Sequence, residues 1–167
     1  MNGASSCNGT GSSSPACSTP VQGVCPDGWH IPSHYELTKL EQKICSDNGG
    51  SDCATQFPYD ESTRYWRGTN GEGSDLAGNI PGQSWTTGTL TSDSHFGDSG
   101  FDFCASGYRN YGGDYTLRSN ATSIWSSTPR NSSSLYMFAH GVQYEHTEVL
   151  RYDYDKSYAF PVRCIKD

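Results

Sequence analysis

Three short stretches hold residue types that could do chemistry. Gly97-Asp98-Ser99-Gly100 is a sequence in which some hydrolases place a nucleophilic serine. Such a serine needs a base and oxyanion donors in fixed geometry. Phe101 follows where another glycine is required, and no histidine-containing partner motif lies upstream, so Ser99 is expected to be a loop serine. His30 and His34 stand four apart, the spacing of two zinc ligands on one helical face. Pro32 and Ser33 intervene and cap a helix that His30 precedes, so the shared face is lost. Asp153 and Asp155 open like a calcium loop, without the glycine and distal glutamate of an EF-hand. The expectation is no catalytic residue, no metal ligand set and no cofactor.

Cysteine is the fourth reactive type. The chain has 167 residues and 7 cysteines, none in Cys-x-x-Cys spacing, which favours disulfides in an oxidising compartment over zinc. An odd count leaves at least one thiol free, and sequence alone leaves the connectivity open. The expected pairs are Cys7 with Cys17, Cys45 with Cys53, and Cys25 with Cys164, the last clamping the ends of the folded part. Cys104, in the apolar run Gly-Phe-Asp-Phe-Cys-Ala-Ser-Gly-Tyr, is the expected buried free thiol.

Residues 132–160 pose a different question, because they carry five tyrosines and two histidines among serines and acids. Apolar residues make up 33% of the chain and aromatics 13%, with 19 glycines, so the fold must be loop-rich with a core of aromatic and small residues. A formal charge of −7 disfavours phosphate backbones and anionic membranes, which would repel it. No run approaches the roughly 18 apolar residues of a membrane helix, and the first stretch lacks the apolar centre of a signal peptide. Neither nucleic acid nor membrane insertion is expected.

The positioning elements follow from pattern. Residues 1–23 read as a Ser/Gly-rich tail and 24–167 as one domain. Ser33 with Glu36 three residues on forms a capping box, Leu37, Leu40 and Ile44 share a face, and Asn48-Gly49-Gly50 ends the helix, predicting it over about 33–47. Residues 68–113 show no helical period; Trp66, Trp85, Phe96 and Phe101 are expected to hold them. Strands are expected at 135–140, 142–154 and 157–165. In the first, Leu135, Met137 and Ala139 alternate with Tyr136, Phe138 and His140. The class is α+β, with small antiparallel sheets and one clear helix.

Val-Cys-Pro-Asp-Gly-Trp-His-Ile-Pro from Val24 and Ser-Tyr-Ala-Phe-Pro-Val-Arg-Cys from Ser157 then act as a pair. With Gly-Phe-Asp-Phe-Cys-Ala-Ser-Gly-Tyr and Ile-Trp-Ser-Ser-Thr-Pro-Arg-Asn, they resemble the Fibrobacter major paralogous domain family, related to the variable proteins of diversity-generating retroelements. Ile124 replaces the first of two tryptophans in that pattern. Pro161 replaces a serine, which argues for an edge position. The resemblance implies a C-type-lectin-like fold whose terminal strands lie side by side, bringing Cys25 near Cys164. True sugar-binding C-type lectins carry Glu-Pro-Asn or Gln-Pro-Asp and Trp-Asn-Asp motifs, which are missing here, so the fold does not imply sugar binding.

The function implied is display: a fixed scaffold carrying a diversified C-terminal part, about 108–160, that binds an unknown ligand such as a protein or surface receptor at a cell or virion surface. Tyrosine suits that task because it offers large amphipathic contact at small entropic cost. The ligand-binding candidates are Tyr136, Phe138, His140, Tyr144, His146, Leu150, Tyr152 and Tyr154, with Leu135, Met137 and Ala139 packing inward. An asparagine codon ending in a pyrimidine and randomised at both adenines reaches all eight candidates but not Met137, Gln143, Glu145, Glu148 or Lys156. Two other readings stay open. One is a formylglycine-generating-enzyme-like catalyst, which needs paired thiols and copper. The other is a structural module of a larger surface protein, and oligomeric state is left undetermined.

Overall fold

The computed structural model describes residues 21–60, 62–130 and 135–167. Its one long helix, α1 (His34–Asp47), begins where the capping box predicts. The Ser33 side chain accepts from the Glu36 amide while the Glu36 carboxylate accepts from the Ser33 backbone. Leu37 and Ile44 are buried and Leu40 packs beside them, as the helical spacing requires. Three shorter helices follow, α2 (Cys53–Gln56), α3 (Glu72–Leu76) and α4 (Thr89–Ser92). The last two lie in the stretch that shows no helical period, because four or five residues are too few to display one.

The main sheet has four antiparallel strands in the order β2 (Tyr65–Arg67), β7 (Val149–Asp155), β6 (Tyr136–Gln143), β5 (Ala121–Pro129). Two ribbons flank it. β1 (Trp29–His30) pairs with β8 (Ile165–Lys166), joining the ends of the domain, and β3 (Tyr108–Arg109) pairs with β4 (Tyr115–Thr116). The disulfide Cys25–Cys164 lies next to the first ribbon, and Cys45–Cys53 ties α1 to α2. Both were expected. Cys7 and Cys17 lie outside the described residues. Cys104 is free but only half-buried, so the expectation of a fully buried thiol is corrected.

The core under the sheet gathers Leu37, Phe57, Leu76, Trp85, Leu90, Phe103, Ile124, Val142 and Val149. Phe96 and Phe101 pack against it, as expected; Trp66 does not and instead stacks on His146 at the surface, centroids 3.7 Å apart. At Gly141, in mid-strand, an added Cβ would come within 2.2 Å of Ser123 Oγ and Thr122 O. Only glycine lets β5 and β6 approach so closely there. The Gly97-Asp98-Ser99-Gly100 segment is a turn: both glycines have positive φ, and Ser99 Oγ donates to Asp75 O at 2.7 Å.

Candidate ligand-binding surface

Side chains alternate between sheet faces, so register decides which residues share a surface. In the β6–β7 pair, Phe138 lies opposite Asp153, Ala139 opposite Tyr152, His140 opposite Arg151 and Met137 opposite Tyr154. Even-numbered residues of β6 therefore share a face with odd-numbered residues of β7. The five residues between the strands, 144–148, set this parity; one residue more or fewer would reverse it.

The consequence corrects part of the expected site. Phe138 (0% exposed) and His140 (2%) lie on the face covered by α1 and cannot meet a ligand. Met137 and Ala139 are buried as expected, but on the opposite face beside Tyr154 and Tyr152. Leu135, expected to pack inward, is 61% exposed. Tyr136 is exposed, yet it is paired with Asp155 on the helix side of the strand rather than with Tyr152 and Tyr154. Tyr144 lies over Gly88 and donates to Glu145. His146 and Leu150 sit near Trp66, at the β2 end of the open face. Of the eight candidates, Leu150, Tyr152 and Tyr154 lie on one open strand face, with His146 at its margin.

The helix-covered face holds a sealed polar chain instead. Arg151 Nη1 donates to His34 Nε2 at 2.7 Å, and His34 Nδ1 stands 2.8 Å from His140 Nε2. His140 Nδ1 bonds Glu41 Oε1. A guanidinium can only donate, so His34 accepts at Nε2 and donates from Nδ1, and His140 in turn donates to the carboxylate. Arg151 also donates to Thr63 O, Pro58 O and Asp60 Oδ1 at 2.9, 3.0 and 3.2 Å. Burial, with the nearby charge of Arg151, holds the His34 pKa well below its ordinary value, so it stays neutral. Burial also pulls the Arg151 pKa down to about 10, which leaves it charged at neutral pH. Asp60 falls to about 2: burial opposes its charge, but hydrogen bonds from Thr63 and Ser62 and the Arg151 charge outweigh that. His34, His140, Glu41 and Arg151 are all at most 2% exposed, so no substrate reaches them; they lock α1 to the sheet. Asp153, read in sequence as half of a calcium-like pair, is held by Arg64 and, at 3.0 Å, by Arg130.

The open face carries a row of rings. Tyr65 meets Tyr152 (centroids 5.5 Å), Tyr152 meets Tyr154 (5.1 Å), Tyr154 meets Tyr158 (5.3 Å) and Tyr158 meets Tyr111 (5.9 Å). Phe160, 7% exposed, is the anchor beneath, touching Trp125, Tyr154, Tyr108 and Tyr158 at 4.7–5.8 Å. Tyr65 pairs with Arg151, whose side chain points to the other face, yet its ring meets Tyr152. Its backbone φ of +72° turns the side chain across the sheet edge. A non-glycine residue pays about 1–2 kcal/mol for that conformation. Burial and neighbouring phenols raise the Tyr154 pKa, and burial with the nearby Tyr65 phenol and Asp153 carboxylate raises that of Tyr152, so these two stay uncharged at neutral pH.

The family model described as the Fibrobacter succinogenes major domain matches residues 11–166. The chain belongs to that family. The matched span of the Fibrobacter succinogenes major domain includes the terminal ribbon, the disulfide clasp and the whole tyrosine row. No curated protein and no solved structure matches the chain significantly.

Sequence reasoning missed Tyr65, Tyr108, Tyr111, Tyr158 and Phe160. The signal for the last two was present in Tyr158-Ala159-Phe160, whose spacing of two places both rings on one side of an extended segment. No local signal points to Tyr65, because its side is set by an unusual φ.

Proposed function

We propose that this domain is a ligand-binding display module, the variable protein of a diversity-generating retroelement on a C-type-lectin-like scaffold. The observation that carries the reading is the continuous tyrosine row. Tyr65 and Tyr111 are 63% and 74% exposed, far more than rings used only for packing. Tyrosine rows supply broad contact area with few rotamers to freeze, as in antibody loops. Tyr111, Tyr152, Tyr154 and Tyr158 fall inside the 108–160 stretch expected to vary, and tyrosine is within reach of the randomised asparagine codon. The buried Arg151–His34–His140–Glu41 chain and the terminal clasp supply what such a module needs beneath it, a body that tolerates change on the opposite face.

In this reading the domain binds and does not catalyse, and it works outside the cytoplasm, at a cell or virion surface, where its disulfides persist. A thiol-pair catalyst is disfavoured among the described residues, since Cys25, Cys164, Cys45 and Cys53 are bonded to one another and Cys104 is left single. The test is the DNA around the gene. A reverse transcriptase gene beside an adenine-rich near-copy of the segment, with mismatches at the codons of Tyr111, Tyr152, Tyr154 and Tyr158, is the expected finding. Mismatches concentrated at Phe138, His140 and Arg151, or no such copy, would overturn the retroelement assignment.

A further inference from the structure

We propose that the tyrosine row holds a proline-rich peptide in the polyproline II conformation, carrying basic residues. The assignment rests on the ligand-binding reading above and names the ligand's chemistry.

Orientation is the first ground. Successive rings are inclined by 52°, 59°, 54° and 52°. No two neighbours share a plane, so the row offers wedges rather than a flat platform. A sugar ring stacks best on a broad ring face; a pyrrolidine ring is small enough to enter a wedge between two phenols. Aromatic-lined grooves are the known means of docking such segments.

Spacing is the second. Adjacent centroids are 5.1–5.9 Å apart, and a polyproline II chain rises about 3.1 Å per residue. Each gap therefore takes slightly under two residues, and the four gaps from Tyr65 to Tyr111 take about seven. Such a chain makes no internal hydrogen bonds, so its carbonyls are free to accept. Among the described residues the hydroxyls of Tyr111, Tyr154 and Tyr158 have no partner, and each can donate.

Topology excludes the common alternative. β7 is already flanked by β2 and β6, so a peptide over Tyr152 and Tyr154 cannot add as a strand and must lie on the sheet face. A helix in a groove would want aliphatic walls, and these walls are phenolic. Charge supplies the sign: the chain carries 18 acids against 11 lysines and arginines, so basic side chains are attracted, and they can also lie over tyrosine faces. The left-handed Tyr65 fits the same picture, since backbone strain is retained where it positions a contact.

The experiment titrates the full chain, disulfides intact, with a fluorescent peptide of about ten prolines flanked by arginines, long enough to span the row. A peptide of equal length and charge with glycine at alternate prolines is the comparison. The expected result is saturable binding to the proline peptide, at least tenfold weaker binding of the glycine peptide, and at least tenfold loss in Tyr152→Ala. Tyr111→Ala, at an exposed ring, should lose affinity even if Tyr152→Ala folds poorly. Equal binding of the two peptides, or no saturation at millimolar concentration, overturns the proposal. A linear glucan oligosaccharide is titrated in parallel. If it saturates and Tyr111→Ala abolishes that binding, the row remains the ligand surface and the peptide assignment falls.

Discussion

Replacing Arg151 with methionine removes the cation at one end of the buried chain while keeping its bulk. Four donated hydrogen bonds go with it, to Thr63 O, Pro58 O, Asp60 and His34. At about 1 kcal/mol each their loss comes to about 4 kcal/mol, inside the roughly 3–5 kcal/mol range for breaking a buried ion pair. Arg67, whose Nε and Nη1 have no partner among the described residues, stays as a second buried cation and keeps the cost near the lower end. Glu41→Gln removes the anion at the other end but can still accept from His140, and should cost about 1–2 kcal/mol. With both changes the two histidines bridge neutral groups. The double variant should therefore be more stable than the sum of the single losses implies, by about 1 kcal/mol or more. Urea unfolding of the oxidised protein, followed by tryptophan fluorescence, measures all three. Additivity within about 0.5 kcal/mol would refute the reasoning, because it would mean that Arg151 and Glu41 are not linked through His34 and His140.

His30 is held between Glu36 at 3.0 Å and Asp167 at 2.6 Å; burial opposes its charge, but the two carboxylates outweigh that and raise its pKa above 6.5. The stabilisation is complete below the unfolded value of about 6.5 and is lost as pH rises through the higher folded value. The melting temperature should fall across that window, and His30→Gln should flatten the fall. The Cys25–Cys164 bridge spans 139 residues and Cys45–Cys53 spans 8. Loop-entropy arithmetic gives about 5 and about 2.5 kcal/mol, so the double alanine variant of the first pair should unfold at clearly lower urea than that of the second. Gly141→Ala forces a methyl against Thr122 O and should cost about 1–3 kcal/mol, seen as a lower melting temperature. Serine at Tyr65, Tyr111 and Tyr152 together should leave the melting temperature within a few degrees while ligand binding is lost. A large drop would place those rings in the core.

Local features could be read directly. The capping box at Ser33 and Glu36, the apolar stripe of α1 and the two disulfides rest on residue types at fixed spacings, and the structure has them where those spacings put them. The site was harder, for a physical reason. Both faces of β6 are buried, so alternation within that strand did not say which side faced outward. The face of β7 depends on how many residues the connecting loop contains, and Phe138 and His140 were assigned with the wrong parity. The rings of Tyr65, Tyr111 and Tyr158 join the row through contacts between distant segments, which no local pattern encodes.

The clasp at the termini has a mechanical consequence. A pull applied at Val21 and Asp167 travels through Cys25, the sulfur–sulfur bond and Cys164, so only a few residues at either end can straighten. The strands that bear the tyrosines lie inside the covalent ring and carry none of that tension. Under shear the domain would keep its tyrosine face in shape until a covalent bond failed.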